Sequence, residues 1–457
     1  MFLRDNSVFV PVRDPNLSPE KTPMPSQPAE ARVENFDEVA LGYTPELARE
    51  EASRCLKCPG RYCSETCPAH VPTTEFIARV RAGDYQGAYE LIAQKNALPA
   101  ITGRVCAQER QCELNCTRGI RGESVSIGRL EAFVADWHAE NGAPLPCAAP
   151  KDVPVAVVGS GPAGLACADD LSRAGFQVTL YEARDFLGGI PVYGIPGFVL
   201  PNAVVDRKLD ELRTRGVRFL TGVKVGADVS VAELCDTYKA VFVATGAGKP
   251  VMPLVPGQEL PGVYTANDYL TAANVAHEPV AGKRVLVLGG GNTAIDAARC
   301  ARRAGAESVT IVYRRSEAEM PARREEVRHA LEEGIQLCLM AAPAAFLEAD
   351  GKLAGLRCRK TAFTDPDYPG GRRNIRVTEE EFDLAADTAV LALGFTAEPI
   401  EGLKTNDKGL IVVDRNTLAA SREGTYAGGD AVTGANTLVH AMADGKKAAA
   451  LIIEKLS

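Results

Sequence analysis

Two stretches of this chain repeat one pattern: an apolar run, a glycine-rich turn and a helix-forming segment. The first is VAVVGSGPAGLACADDLSRAGFQVTLYEA (155–183) and the second is VLVLGGGNTAIDAARCARRAGAESVTIVYRR (285–315). A short apolar run that opens through glycines into a helix is the start of a strand–turn–helix unit in a parallel sheet. In the first unit, Gly159 permits the tight turn and Gly161 lets the backbone approach a pyrophosphate. Gly164 allows the helix to pack closely on the strand. Phosphates would then meet the free N–H groups and the dipole at the helix N-terminus. Glu182, at the end of the next strand, is placed to accept hydrogen bonds from a ribose hydroxyl.

The second unit keeps the spacing with Gly289, Gly291 and Ala294, and Asn292 opens its helix. No acid ends its second strand; Arg314 and Arg315 stand there instead. A carboxylate would repel a 2′-phosphate, whereas a guanidinium pairs with it in a bidentate fashion. The second site therefore reads as NADPH, with a solvated strand end as the plainer reading of the two arginines; the first, with Glu182, Gly188-Gly189 and the later Gly429-Asp430, resembles that of the two-dinucleotide flavoproteins, which implies FAD. VFVAT (241–245) and AVLALGF (389–395) bracket the second unit, which predicts one Rossmann-like domain inserted into another. The expected division is a helical domain over 1–150, an FAD domain over 151–250 and 395–457, and an NADPH domain over 251–394. The fold class is α/β with a helical N-terminal segment. Gly188 and Gly189 follow the first unit, and Gly429-Asp430 precedes a long terminal helix.

The N-terminal third carries a different signature. Of 13 cysteines, seven cluster as Cys55, Cys58, Cys63, Cys67, Cys106, Cys112 and Cys116. In a large chain without a secretory h-region, clustered cysteines point to metal rather than disulfides. The C-x2-C start and the Cys67-Pro68 finish fit iron–sulfur ligation. Zinc is the alternative, and with it a structural scaffold carrying idle nucleotide folds. Seven thiols do not fill two four-ligand sites, so an eighth ligand is expected. Glu131 lies on the apolar face formed by Ile127, Leu130, Val134 and Trp137, where it is either that ligand or an edge carboxylate reaching solvent. Cys167, Cys235, Cys300, Cys338 and Cys358 stand singly and read as core residues. No redox cysteine pair and no catalytic triad is visible. Hydride transfer between nicotinamide and flavin needs stacking and exclusion of water more than an acid or base. Electrons would leave through the cysteine-rich segment.

Composition adds exclusions. A net charge of -8 leaves no basic footprint for nucleic acid. No run approaches the roughly 20 apolar residues of a membrane span, so the cytoplasm is the expected location. Residues 1–35, rich in proline and charge, read as an extended lead-in. Helices are expected from Thr44-Pro45, over 73–82, 84–95 and 126–140.

The cysteine spacings, SIGRLE, YGIP (193–196) and both glycine fingerprints together resemble the glutamate synthase small-subunit family. That family includes the large subunit of bifurcating NADH-dependent ferredoxin:NADP oxidoreductase and the N-terminal half of dihydropyrimidine dehydrogenase. The resemblance implies one [4Fe–4S] cluster on Cys55, Cys58, Cys63 and Cys116, and another on Cys67, Cys106, Cys112 and Glu131. It implies that Gly429-Asp430 contacts the FAD ribityl chain and that the terminal helix points at the flavin; Asp430 is alternatively a cap for that helix. The chain has no room for a glutaminase or an FMN barrel, so a hetero-oligomer is expected. Its partner would be an FMN-containing glutamate synthase large subunit, or the small flavin or ferredoxin-type subunit of a bifurcating complex.

Overall fold

The computed structural model describes residues 15–280, 282–366 and 373–457, and the first part of the expected lead-in lies outside them. The remainder of the lead-in is not wholly extended, since Ala29–Arg32 forms a helical turn. Helix α1 (Pro45–Ser53) starts as its sequence predicts. Thr44 accepts from the Leu47 N–H and Pro45 occupies the first turn, where a missing N–H costs nothing. The chain then leaves helical geometry and delivers Cys55 and Cys58 from a loop. Helices α2 (Thr73–Ala82) and α3 (Tyr85–Ala93) follow, the latter beginning at Asp84, which accepts from the Gly87 N–H. Next come α4 (Pro99–Val105) and α5 (Ile127–Asn141). Phe76, Ile92, Leu130 and Val134 fill the core of this helical layer. The crossing of α4 and α5 is close at Gly103, where a methyl group would sit 2.6 Å from the Ala132 backbone nitrogen.

The first sheet contains β1 (Pro154–Val158), β2 (Gln177–Tyr181), β3 (Arg218–Leu220) and β4 (Ala240–Val243). The second holds β5 (Val263–Thr265), β6 (Arg284–Leu288), β7 (Ser308–Tyr313) and β8 (Gln336–Leu339). An antiparallel sheet of β9 (Ala341–Ala349), β10 (Lys352–Thr364) and β11 (Asn374–Ala385) follows. The chain then returns β12 (Thr388–Leu391) to the second sheet and β13 (Thr425–Ala427) to the first. The five-stranded orders are β13-β4-β1-β2-β3 and β5-β12-β6-β7-β8, parallel throughout. The second sheet is thus threaded between β4 and β13 of the first, which is the insertion that the bracketing strands predict.

Each glycine turn leads into a helix: α6 (Pro162–Arg173) and α7 (Asn202–Thr214) belong to the first sheet. Helices α8 (Asn292–Arg303) and α9 (Arg324–Glu332) belong to the second, and α10 (Leu438–Leu456) closes the chain against α6. The helical layer and the first sheet share one core, from Phe76 and Leu130 to Leu165 and Phe242, whereas the second sheet has its own. Among the described residues, no helix is long and apolar enough to cross a membrane.

Candidate functional site

A cavity of about 550 Å³ opens at the carboxyl ends of β1, β2 and β4, lined among others by Gly159, Gly161, Glu182, Thr245, Gly429 and Asp430. This is where an open parallel sheet receives a dinucleotide. Gly164 is required sterically: a Cβ there would stand 1.8 Å from the Gly159 carbonyl oxygen. Space is open at Gly161, which leaves room for a pyrophosphate to lie on the backbone. Glu182 is anchored as well as exposed to the cavity. Its Oε2 accepts from the Ser160 N–H at 3.0 Å and its Oε1 from the Arg184 N–H at 2.9 Å. Ser160 Oγ, in turn, accepts from the Gly188 N–H at 2.9 Å, so Gly188 shapes the loop while Gly189 lines the cavity. Ser160 and the Arg184–Tyr193 stack, 4.2 Å from cation to ring centroid, were not singled out in the sequence as site residues. The serine lies inside the glycine fingerprint, and Tyr193 opens the YGIP tract.

Asp430 does not cap α10. It opens its own short helix, and α10 starts at Thr437 without a side-chain cap. Burial pushes its carboxyl up to about 6, with Asp444 adding to the rise and the Asn436 N–H opposing it. Its Oδ1 lacks a hydrogen-bond partner while the residue lines the cavity, a buried acceptor that suits the hydroxyls of a ribityl chain.

At the second turn Gly289 and Gly291 precede α8, and Ala294 is fully buried against the sheet. Asn292 uses Oδ1 to accept from the Arg323 N–H at 2.8 Å, so its side chain holds the loop. The two arginines separate. Arg314 is exposed, whereas Arg315 is buried, donating to the Arg373 carbonyl at 2.5 Å and pairing with Glu319 at 3.4 Å. Arg314 therefore has the freedom to meet a phosphate, and Arg315 braces the start of β11.

The cysteines form two groups. Cys55, Cys58, Cys63 and Cys116 line one cleft together. Burial pushes the Cys55 thiol up to about 12, and its three companions add to the rise. Cys67, Cys106, Cys112 and Glu131 form the other. Burial drives the Cys106 and Cys112 thiols well above the usual range, and both feel Cys67 and Glu131. Groups so placed resist ionising together unless a cation compensates them, which is what metal ligation supplies. Among the described residues, no three His, Cys, Asp or Glu side chains converge on a single metal ion.

Glu131 is 8% exposed and does not reach solvent. Its Oε1 accepts from Thr102 Oγ1 at 2.6 Å and from Asn96 Nδ2 at 3.1 Å, and burial pushes the carboxyl up to about 7 despite both donors. The close α4–α5 crossing at Gly103 puts Thr102 beside it. The second group also adjoins the terminal helix, because Gln111 Nε2 donates to Thr437 Oγ1 at 3.3 Å. The first group's cleft is lined by Tyr62, 58% exposed, and the flanking segments also expose Leu114 and Ile120 beside Arg61 and Arg121. Cys167, Cys300 and Cys358 are fully buried, as expected of core residues.

Comparison with known proteins agrees with this architecture. Residues 32–143 match the family model described as dihydropyrimidine dehydrogenase domain II, 4Fe-4S cluster, and residues 153–445 match that of pyridine nucleotide-disulphide oxidoreductase. The first match displaces the zinc-scaffold reading. The chain is 36% identical to the glutamate synthase [NADPH] small chain of Halomonas elongata, over 94% of this chain and 95% of that one. It is 34% identical to the small chain of Escherichia coli, over 93% and 95%. A second Escherichia coli protein, named as an oxidoreductase, AegA, is 40% identical over 93% of this chain and 68% of its own. Among solved structures, FprA of Mycobacterium tuberculosis in complex with NADPH superposes with a TM-score of 0.59 at 20% identity, covering 67% of this chain and 85% of that one, a likeness of fold. The chain belongs to the glutamate synthase small-chain family, in which a 4Fe–4S domain precedes a pyridine nucleotide-disulphide oxidoreductase fold.

Proposed function

We propose that this chain is the NADPH-dependent, FAD-containing and iron–sulfur electron-transfer subunit of a glutamate synthase-type assembly. Bound FAD would supply a hydride acceptor for NADPH, and iron–sulfur clusters held by the cysteine-rich domain would supply one-electron carriers for the two electrons. The chain's residues bind, orient and insulate. Gly159, Gly161 and the N-terminus of α6 hold the FAD pyrophosphate, Glu182 the ribose, and Gly429-Asp430 the ribityl chain. Gly289, Gly291 and Arg314 hold NADPH, with Asn292 and Arg315 fixing the loops around it. Cys55, Cys58, Cys63 and Cys116 hold one [4Fe–4S] cluster; Cys67, Cys106, Cys112 and Glu131 hold the other. Residues 1–150 form the iron–sulfur domain, 151–250 with 395–457 the FAD domain, and 251–394 the NADPH domain.

The observation that carries this reading is the order of the groups. Gln111 ties the second group to the helix beside the FAD cavity, and the first group lines a cleft at the surface with exposed Tyr62. Electrons entering at the flavin thus have a path outward to a partner subunit. Anaerobic addition of NADPH, then NADH, followed by EPR tests it. Prompt bleaching of the flavin and cluster reduction by NADPH are expected, and a flavin that stays oxidised sinks the reading. Co-purification identifies the partner: an FMN-bearing large chain is expected, and a small flavin subunit would point to bifurcation instead.

A further inference from the structure

The strip 320–324 joins the second glycine turn to the iron–sulfur domain. On one side the Ala322 N–H donates to the Gly290 carbonyl at 3.1 Å. The Arg323 N–H donates to Asn292 Oδ1 at 2.8 Å. On the other side Arg323 Nη1 donates to the Arg104 carbonyl at 2.5 Å, just before the ligand Cys106. Arg110 donates to the Met320 carbonyl at 2.6 Å and the Pro321 carbonyl at 2.9 Å, and the Arg324 N–H donates to Glu109 Oε1 at 3.0 Å. Arg323 itself is 5% exposed, and its Nε has no hydrogen-bond partner.

We propose that Arg323 raises the reduction potential of the cluster held by Cys67, Cys106, Cys112 and Glu131, and that dinucleotide binding at the second turn alters that potential by moving Arg323. This rests on the two-cluster reading above. A group that accepts one electron becomes more negative by one charge, and a buried cation beside it favours the reduced form, with little screening by salt. Other charges face Arg323. Glu325 lies 3.2 Å away and Glu326 3.8 Å away, but each carboxylate is also paired with another arginine: Glu325 with Arg129 of α5, Glu326 with Arg299 of α8. Asp296 of α8 also feels the guanidinium. Removing Arg323 deletes that cation, while Glu325 and Glu326 keep their pairs with Arg129 and Arg299. Its loss disfavours the added electron.

EPR-monitored redox titration of the intact holoprotein tests this, with and without 2′-phospho-ADP-ribose, which fills a dinucleotide site yet carries no nicotinamide. In Arg323→Gln the second cluster's midpoint should move to more negative potential while the first stays put, and the ligand-induced shift seen in the parent should vanish. Arg323→Lys should restore most of the parent value. Glu325→Gln, which removes a counter-charge instead of the cation, should move the same midpoint the opposite way, and it serves if the Gln variant does not fold. Unchanged midpoints in Arg323→Gln or Glu325→Gln, or equal shifts of both clusters, overturn the proposal. A parent midpoint indifferent to the ligand overturns its dinucleotide half. Absence of a second cluster signal from the parent refutes the two-cluster reading and this proposal with it, whereas unchanged potentials refute this proposal alone.

Discussion

Adjacent arginines at 314 and 315 carry the same charge and sit at the same strand end, yet the fold assigns them different work. Arg314 is exposed and Arg315 spends its Nη1 on a backbone carbonyl and Glu319. Replacing Arg314 with Ala should weaken NADPH about tenfold or more while leaving NADH nearly unchanged, since a hydrogen bond to a charged group is worth about 1.5–3 kcal/mol. Arg315→Ala should instead lower stability and affect both nucleotides alike. Steady-state kinetics with each nucleotide distinguishes them, and equal discrimination by the two variants would refute the separation. Glu131 makes a similar case. If Glu131 completes the second of the two proposed [4Fe–4S] sites, Glu131→Leu should halve iron content, from about eight atoms per chain to about four. Iron and acid-labile sulfide analysis reads this directly; full occupancy in the variant would remove Glu131 from the ligand set.

Helices α8 and α9 are joined by ionic contacts that no single segment announces. Arg299 is fully buried and donates to Glu333 at 2.7 Å. Arg303 reaches Glu333 at 2.7 Å, and Arg32 of the N-terminal lead-in reaches it at 2.8 Å. Burial alone would raise the Glu333 carboxyl, but hydrogen bonds from Arg299 and Arg303 hold it at about 2. Because that value is depressed below the unfolded one, the stabilisation is present above about pH 4.5 and is lost as pH falls toward 2. Its size is about 3 kcal/mol, from 1.36 kcal/mol per pKa unit. Glu333→Gln, which leaves Arg303 without its carboxylate and takes one of two from Arg299 and Arg32, should cost about 3 kcal/mol at neutral pH. Urea unfolding at pH 7 and pH 3 measures it, with the difference between parent and variant shrinking at the lower pH. A constant difference would show that the carboxyl titrates alike in the native and unfolded states, and would refute its depression.

At the scale of the molecule, the proposed two-cluster reading makes the electron path directional. With Cys112→Ser, NADPH should still bleach the flavin, but the first cluster should remain oxidised on the time scale of the parent's turnover. With Cys116→Ser, the second cluster should still be reduced and only delivery to the partner should fail. Stopped-flow absorbance with freeze-quench EPR separates these outcomes, and equal effects from both variants would contradict a serial path.

Much of this architecture was legible in the residues. Apolar strand, glycine turn and helix are local patterns with local causes, so both nucleotide folds and their nesting could be read from spacing alone. Thr44-Pro45 announced its helix for the same reason: a cap acts within four residues. The sequence by itself also determined the kinds of ligand, since seven clustered thiols and two fingerprints admit few chemistries. What it could not determine is which identical groups face which neighbours. The single fate of Glu131, the separation of Arg314 from Arg315, and the meeting of Arg323 with the Arg104 carbonyl depend on elements distant in the chain. Only packing brings those elements together, because burial and long-range electrostatics are properties of the assembled core rather than of any segment.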